Sequence, residues 1–273
     1  MSTSTVKAPA PIGALLREWR QRRRLSQLDL ALDAGISARH LSFVETGRAR
    51  PSAEMVLHLA NQLDVPLRER NRLLLAAGYA PVFEERSLDD PEMAPVHEAV
   101  QLVLDGHDPY PAITVDHGWA LVAYNRGAQL LMAGLPEHLL APPMNVLRAS
   151  LHPEGLAPRI VNLAQWREHL LERLGRQAAL TGDPALRTLY AELESYPVED
   201  GGEPAHGAPE RSDVVVPLRL RTDDGELRFF STVTTFGTPV DITVEELSIE
   251  SFFPADRATA EVLRRHAETA SAR

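Results

Sequence analysis

"GISARHLSFVETGRARPS", residues 35–52, decides how the first third of the chain is read. Gly35 opens it, and a left-handed backbone costs least at glycine. Ser37 stands where a hydroxyl caps the free N–H groups of a new helix. Leu41 and Val44 face inward, and Gly47 falls just beyond the helix end. Arg48 and Arg50 flank a loop, and Pro51-Ser52 opens the next helix.

Upstream, Ser26 with Asp29 three residues on forms a capping-box variant. Leu28, Leu30 and Ala31 are the apolar residues of that helix, which Gly35 ends. Before it, Ile12, Leu15, Leu16 and Trp19 recur at helical spacing, opposite Arg17, Arg20, Arg22, Arg23 and Arg24. Downstream, Met55, Val56, Leu59, Ala60 and Leu63 form a fourth stripe. A fifth helix is predicted from Pro66 to Ala77, stopping at Gly78. Helix, three-residue glycine turn, helix is a helix-turn-helix layout. Its steep angle lets the N-terminal end of the second helix reach base edges in a major groove about 12 Å wide. The helix at 37–46 is then the reader.

Charge divides at the same place. Residues 1–80 hold 12 Lys/Arg and 7 Asp/Glu, and residues 81–273 hold 16 and 31, so a unit of +5 precedes a body of −15. The net of −10 hides a polyanion-binding module. There are no cysteines, which excludes disulfides and thiolate metal sites and suits a reducing cytoplasm. No run of 18 apolar residues exists, so no membrane span is expected. "MSTSTVKAPAP" reads as a disordered leader.

The run from Ser26 to Pro66, with Gln27, Gly35, Ser37, Glu45-Thr46-Gly47 and Pro51-Ser52, resembles the Xre type of helix-turn-helix. The resemblance covers residues 1–80 and implies duplex DNA as partner. It implies that Gln27 meets a phosphate. It also implies that Ser37 and the residues after it meet the DNA, with Ala38, Arg39 and His40 at the bases and Ser42 and Phe43 one turn later. Arg39 has the donors for a bidentate guanine contact, and Ala38 suits a thymine methyl. His40 is open between base, phosphate and cap roles, and Phe43 between small core and backbone sugars. Arg48 and Arg50 are assigned to phosphates.

Residues 81–106 form a connecting segment with a helix from about Pro91 to Asp105, ended by Gly106. It is read as the only covalent path between the two parts. Residues 107–273 form the second domain. "AITV", the turn Asp116-His117-Gly118 and "ALVAY" predict a hairpin, and Asn125 caps a following helix. A Pro-rich crossing leads to helices at about 160–180 and 184–195, then a mobile loop at 197–212. A second hairpin turns at Gly225, "PVDITVEELSIESFF" reads as a further strand, and a helix closes the chain. The sum is an all-α helix-turn-helix domain followed by an α+β domain with an antiparallel sheet, helices over one face, in an order that resembles a PAS domain.

"LLLAAGYAP", "PYPAITVD", "NVLRASLHPEGLAPRIVNLAQWREHLL" and "ESFFPADRATAEVLR" are similar to the MmyB-type transcription regulators, through residues 12–265. The resemblance implies a ligand-responsive DNA-binding regulator whose body takes a small apolar, fatty-acid-like molecule. Candidate pocket residues are Ile113, Val115, Leu121, Trp166, Leu170 and Phe230. Arg159, Arg228 and His169 are candidates for a charged ligand head. A homodimer is expected, because one reading helix spans few base pairs.

The alternative is a body that binds a protein partner, and an enclosed apolar pocket of about 300 Å³ or more separates the two. Catalysis is not expected. No G-x-S-x-G or phosphate-cradling glycine loop occurs, and His97-Glu98 lacks the second histidine of H-E-x-x-H. The histidines at 107, 117 and 152 read as turn residues, so no metal or cofactor is assigned.

Overall fold

The computed structural model describes residues 11–197 and 215–271. The expected leader and most of the expected loop at 197–212 lie outside the described residues. The chain forms two compact units, one running up to Arg86 and taking in Pro239–Glu245, the other holding Ser87–Thr238 and the residues from Glu246 onward.

The first unit is built on α1 (Ile12–Arg22), α2 (Gln27–Asp33), α3 (Ala38–Glu45), α4 (Ala53–Gln62) and α5 (Leu67–Ala76). Local chemistry sets their ends. The Ser26 hydroxyl accepts from Asp29 N while the Asp29 carboxylate accepts from Ser26 N, a complete capping box. Ser37 and Ser52 accept from the backbone of His40 and Met55. Gly35 takes φ +63°, the conformation the turn between α2 and α3 requires. Leu16, Leu30, Leu41, Val44, Leu59 and Leu74 are fully buried together. Helices α1 and α3 approach so closely that a Cβ at Gly13 would lie 2.6 Å from the Glu45 carbonyl oxygen.

The second unit opens with α6 (Ala94–His107), which continues through Gly106 rather than ending there. It holds β1 (Ala112–Val115), β2 (Leu121–Tyr124), α7 (Gln129–Met132), α8 (Glu137–Leu140), α9 (Val146–Leu151), α10 (Leu163–Thr181), α11 (Pro184–Glu194), β3 (Leu218–Thr222) and β4 (Gly225–Thr234). The chain then passes through α12 (Ile242–Glu246) to β5 (Ser248–Pro254) and α13 (Arg257–Ser271). The sheet is antiparallel with order β2-β1-β5-β4-β3, a PAS-like curl in which the last strand enters the middle.

Three further expectations need correction. The expected Pro-rich crossing contains α8 and α9. "DITVEE" is helical, not strand: Asp241 Oδ1 accepts from Thr243 N at its start, which outweighs the β-branched composition. Helices also cover both sheet faces. Strand alternation sends Ile113, Glu250 and Phe252 to one side and Ala112 and Ile249 to the other, where Val100 and Leu104 of α6 pack on them.

Candidate nucleic-acid interface and ligand cavity

Arg39 and His40 stand exposed on the first turn of α3, Ala38, Ser42 and Phe43 are half-buried, and Ser37 is committed to the cap. The fold brings three of the sequence candidates together. The guanidinium carbons of Arg39 and Arg48 lie 5.3 and 5.9 Å from the Phe43 ring centroid. Phe43 is half-buried, and both guanidinium groups lie within cation–π range of its ring.

Gln27, the first residue of α2, donates its side-chain amide to Glu45 Oε2 at 2.8 Å. Glu45 also receives Arg20 Nε at 2.7 Å and Arg20 Nη2 at 2.9 Å, in a bidentate pair whose side chains are 2% and 10% exposed. Burial pushes the Glu45 carboxyl up. The hydrogen bonds from Arg20 and Gln27 and the charges of Arg20 and Arg17 outweigh it, and the net displacement is downward. The hydrogen bond to Glu45 raises Arg20 in turn. This network ties α1, α2 and α3, and it holds Gln27 in place.

Other arginines are occupied inside the unit. Arg20, expected on the polar face of α1, is buried. Arg23 donates to the carbonyls of Leu63 and Asp64 past the end of α4. Arg50, assigned to phosphate, donates to Ala77 O at 3.0 Å and lies over the Tyr79 ring, closing the end of α5. Leu28, given with Leu30 and Ala31 as an apolar residue of α2, is 59% exposed. Pattern alone gives no sign of which arginine finds a distant partner.

The second unit holds an apolar slot between the sheet and α7, α9 and α10. Its empty space is about 620 Å³ with the open mouth included, so it is open to solvent and not the enclosed pocket expected to separate the two readings. Ile113, Leu121, Trp166 and Leu170 stand on its wall, with Trp119, Leu131, Met144, Leu147, Leu156 and Phe252. Two candidates stand elsewhere. Val115 is packed in the surrounding core, off the wall. Phe230 is a correction: it pairs with Phe253 in register and stacks on it at 5.2 Å, on the opposite face from Phe229. Adjacent residues of a strand point opposite ways, and the inward residue here is Phe229.

Arg159, Arg228 and His169 are also off the wall. Arg159 donates to Ala133 O, and Arg228 to Glu226. Burial, then the charge of Arg173, pushes His169 down. The polar wall residues are Ser150, which accepts from Trp166 Nε1, and Glu250. Sequence reasoning missed Glu250, because an acid in a strand reads as solvent-facing.

His138, His152 and Glu154 converge near the surface at metal-ligand spacing. His152 Nδ1 also accepts from Glu154 N at 3.1 Å. No helix among the described residues is long and apolar enough to cross a membrane.

A capped helix pair with an exposed α3, followed in the chain by an α+β unit that holds an apolar slot, fits a DNA-binding transcription regulator with its own ligand-binding domain. Comparison with known families agrees. Residues 16–70 match the helix-turn-helix model, and residues 96–265 match the MmyB-like transcription regulator ligand binding domain. The chain belongs to the MmyB-like transcription regulators, which are not enzymes. It is 38% identical over 77 residues to an uncharacterized HTH-type transcriptional regulator, RghRB, of Bacillus subtilis (strain 168), a stretch that is 28% of this chain and 53% of that relative. The chain thus spans about half the length of that curated relative. Among solved structures it is weakly similar to an RNA-binding light-oxygen-voltage receptor, with 14% identity and a TM-score of 0.25 over all of this chain and 64% of that one.

Proposed function

We propose that this regulator reads duplex DNA with α3 and is switched by an apolar small molecule in the slot of the second unit. The observation that carries the reading is the slot itself, a wall of aliphatic and aromatic side chains with two polar residues. Each methylene group that leaves water for such a wall contributes about 0.8 kcal/mol, so a chain-like, fatty-acid-like body binds by burial alone. Arg39 serves as base reader, His40 and Ser42 lie beside it, and Arg48 meets a phosphate. The DNA-bound form is a homodimer working in the cytoplasm, with half-sites about 34 Å or a multiple apart.

The route of the switch runs along the chain. Besides the segment after Arg86, the chain enters the first unit at Pro239 and leaves it after Glu245, between β4 and β5. Glu250, on the slot wall, follows five positions later. Reciprocity requires that DNA shift ligand affinity by the same factor by which ligand shifts DNA affinity, typically about 5–150-fold. The test is a titration of straight-chain apolar molecules read by both melting and operator binding. Stabilisation without a change in DNA affinity sinks the switch. No stabilisation by any of them favours a protein partner.

A further inference from the structure

The slot has a chemically distinct wall position. Glu250 on β5 is 5% exposed and lines the slot beside Ile113, its register partner on β1, and Phe252. Among the described residues it is the charged side chain on the wall. Its Oε1 takes two donors, Arg173 Nη1 at 3.1 Å and Ser231 Oγ at 3.0 Å. Its Oε2 takes none among the described residues. Arg173 itself is off the wall: its guanidinium lies 4.5 Å from the Trp119 ring centroid, held between that ring and Glu250. Ser150, the other polar wall residue, already accepts from Trp166.

A carboxylate oxygen is acceptor-only. A ligand with a carboxylate head would bring a like charge to a buried acceptor, with no cation on the wall to receive it. A hydroxyl, amide N–H or ammonium group completes the wall instead, and the ammonium does so with a charge-assisted bond. We infer that Glu250 is the head-group acceptor of this slot and that the ligand is an apolar chain ending in a hydrogen-bond donor rather than in a free carboxylate. The inference rests on the proposed reading of the slot as a small-molecule site.

The experiment uses the full chain and three probes of one chain length, octylamine, octanol and octanoate, each below its micellar concentration. Binding is measured by calorimetry and melting. The expected order is octylamine, then octanol, then octanoate, with roughly tenfold or more between the first and last. Glu250→Gln should abolish the preference for octylamine over octanoate. The wild-type order decides the matter even where that variant fails to fold. Tightest binding of octanoate overturns the inference, makes Arg173 the head-group partner, and leaves the slot reading intact. Equal binding of all three also overturns it. Binding of none refutes the slot as a chain-binding site, and the head-group assignment with it.

Discussion

Glu245 Oε2 accepts the backbone N–H of Leu67 at 2.7 Å, across 178 positions of sequence. The bond supplies what α5 lacks locally, because Pro66 at its N-cap has no side chain that can accept. The carboxylate meets free N–H groups at the positive end of the helix dipole. Around it, the Thr243 hydroxyl donates to Arg86 O and Arg86 donates to Asp241 at 3.0 Å. A segment of the first unit that comes late in the sequence thus caps one of that unit's own helices.

Glu245→Ala should lower the stability of the first unit by about 1 kcal/mol, the size of a lost cap. It should also reduce the factor by which ligand alters DNA affinity, with little effect on ligand binding itself. Calorimetry with ligand, with and without operator DNA, measures both. Unchanged coupling in the variant removes this segment from the switch.

The buried Arg20–Glu45 pair should dominate the acid sensitivity of the DNA-binding unit. The folded Glu45 carboxyl lies below its unfolded value of about 4.3. Its contribution is therefore fully present above that pH and is lost as pH falls through the depressed folded value. Glu45→Gln should cost about 3 kcal/mol near neutrality by leaving Arg20 buried without its counter-charge, and should flatten the acid-side decline. Melting curves from pH 7 downward report both.

At the DNA interface the two arginines on the Phe43 ring should separate. Arg39→Ala should relax preference at one base position at a cost of about 1–3 kcal/mol. Arg48→Ala should weaken all sequences alike and flatten the salt slope by about one unit. Phe43→Ala should produce a milder form of both, since both guanidinium groups lie within cation–π range of the ring. Arg50→Ala should act chiefly on stability, through the lost bond to Ala77 O. Footprinting and salt titrations on one operator distinguish the four.

Within the slot, Leu170→Trp should block ligand binding by filling the space, at an overpacking cost of about 1–3 kcal/mol. Phe230→Ala, on the other sheet face, should leave ligand affinity unchanged. A loss of affinity in Phe230→Ala would mean that the ligand lies elsewhere.

A homodimer should persist at micromolar concentration with and without DNA, measured by light scattering. A monomer under both conditions would require each reading helix to act on a single half-site.

The features legible in the sequence are those whose partners lie within a few residues. The capping box of Ser26 and Asp29, the caps at Ser37, Ser52 and Asn125, and the left-handed Gly35 depend on spacing alone, so the helix-turn-helix and the order of hairpins follow from the pattern. What only the tertiary structure decided is which polar groups leave water. Arg20 and Arg17 read alike on α1, yet a carboxylate 25 positions away takes Arg20 into the core and leaves Arg17 exposed. Phe229 and Phe230 read alike on β4, and the register with β5 turns one toward the core and the other to the opposite face. Glu250 becomes a wall residue because β5, last in sequence, pairs in the middle of the sheet between β1 and β4. Spacing specifies local hydrogen bonds, but burial of a charge requires a partner that long-range pairing brings, and no local pattern encodes that partner's arrival.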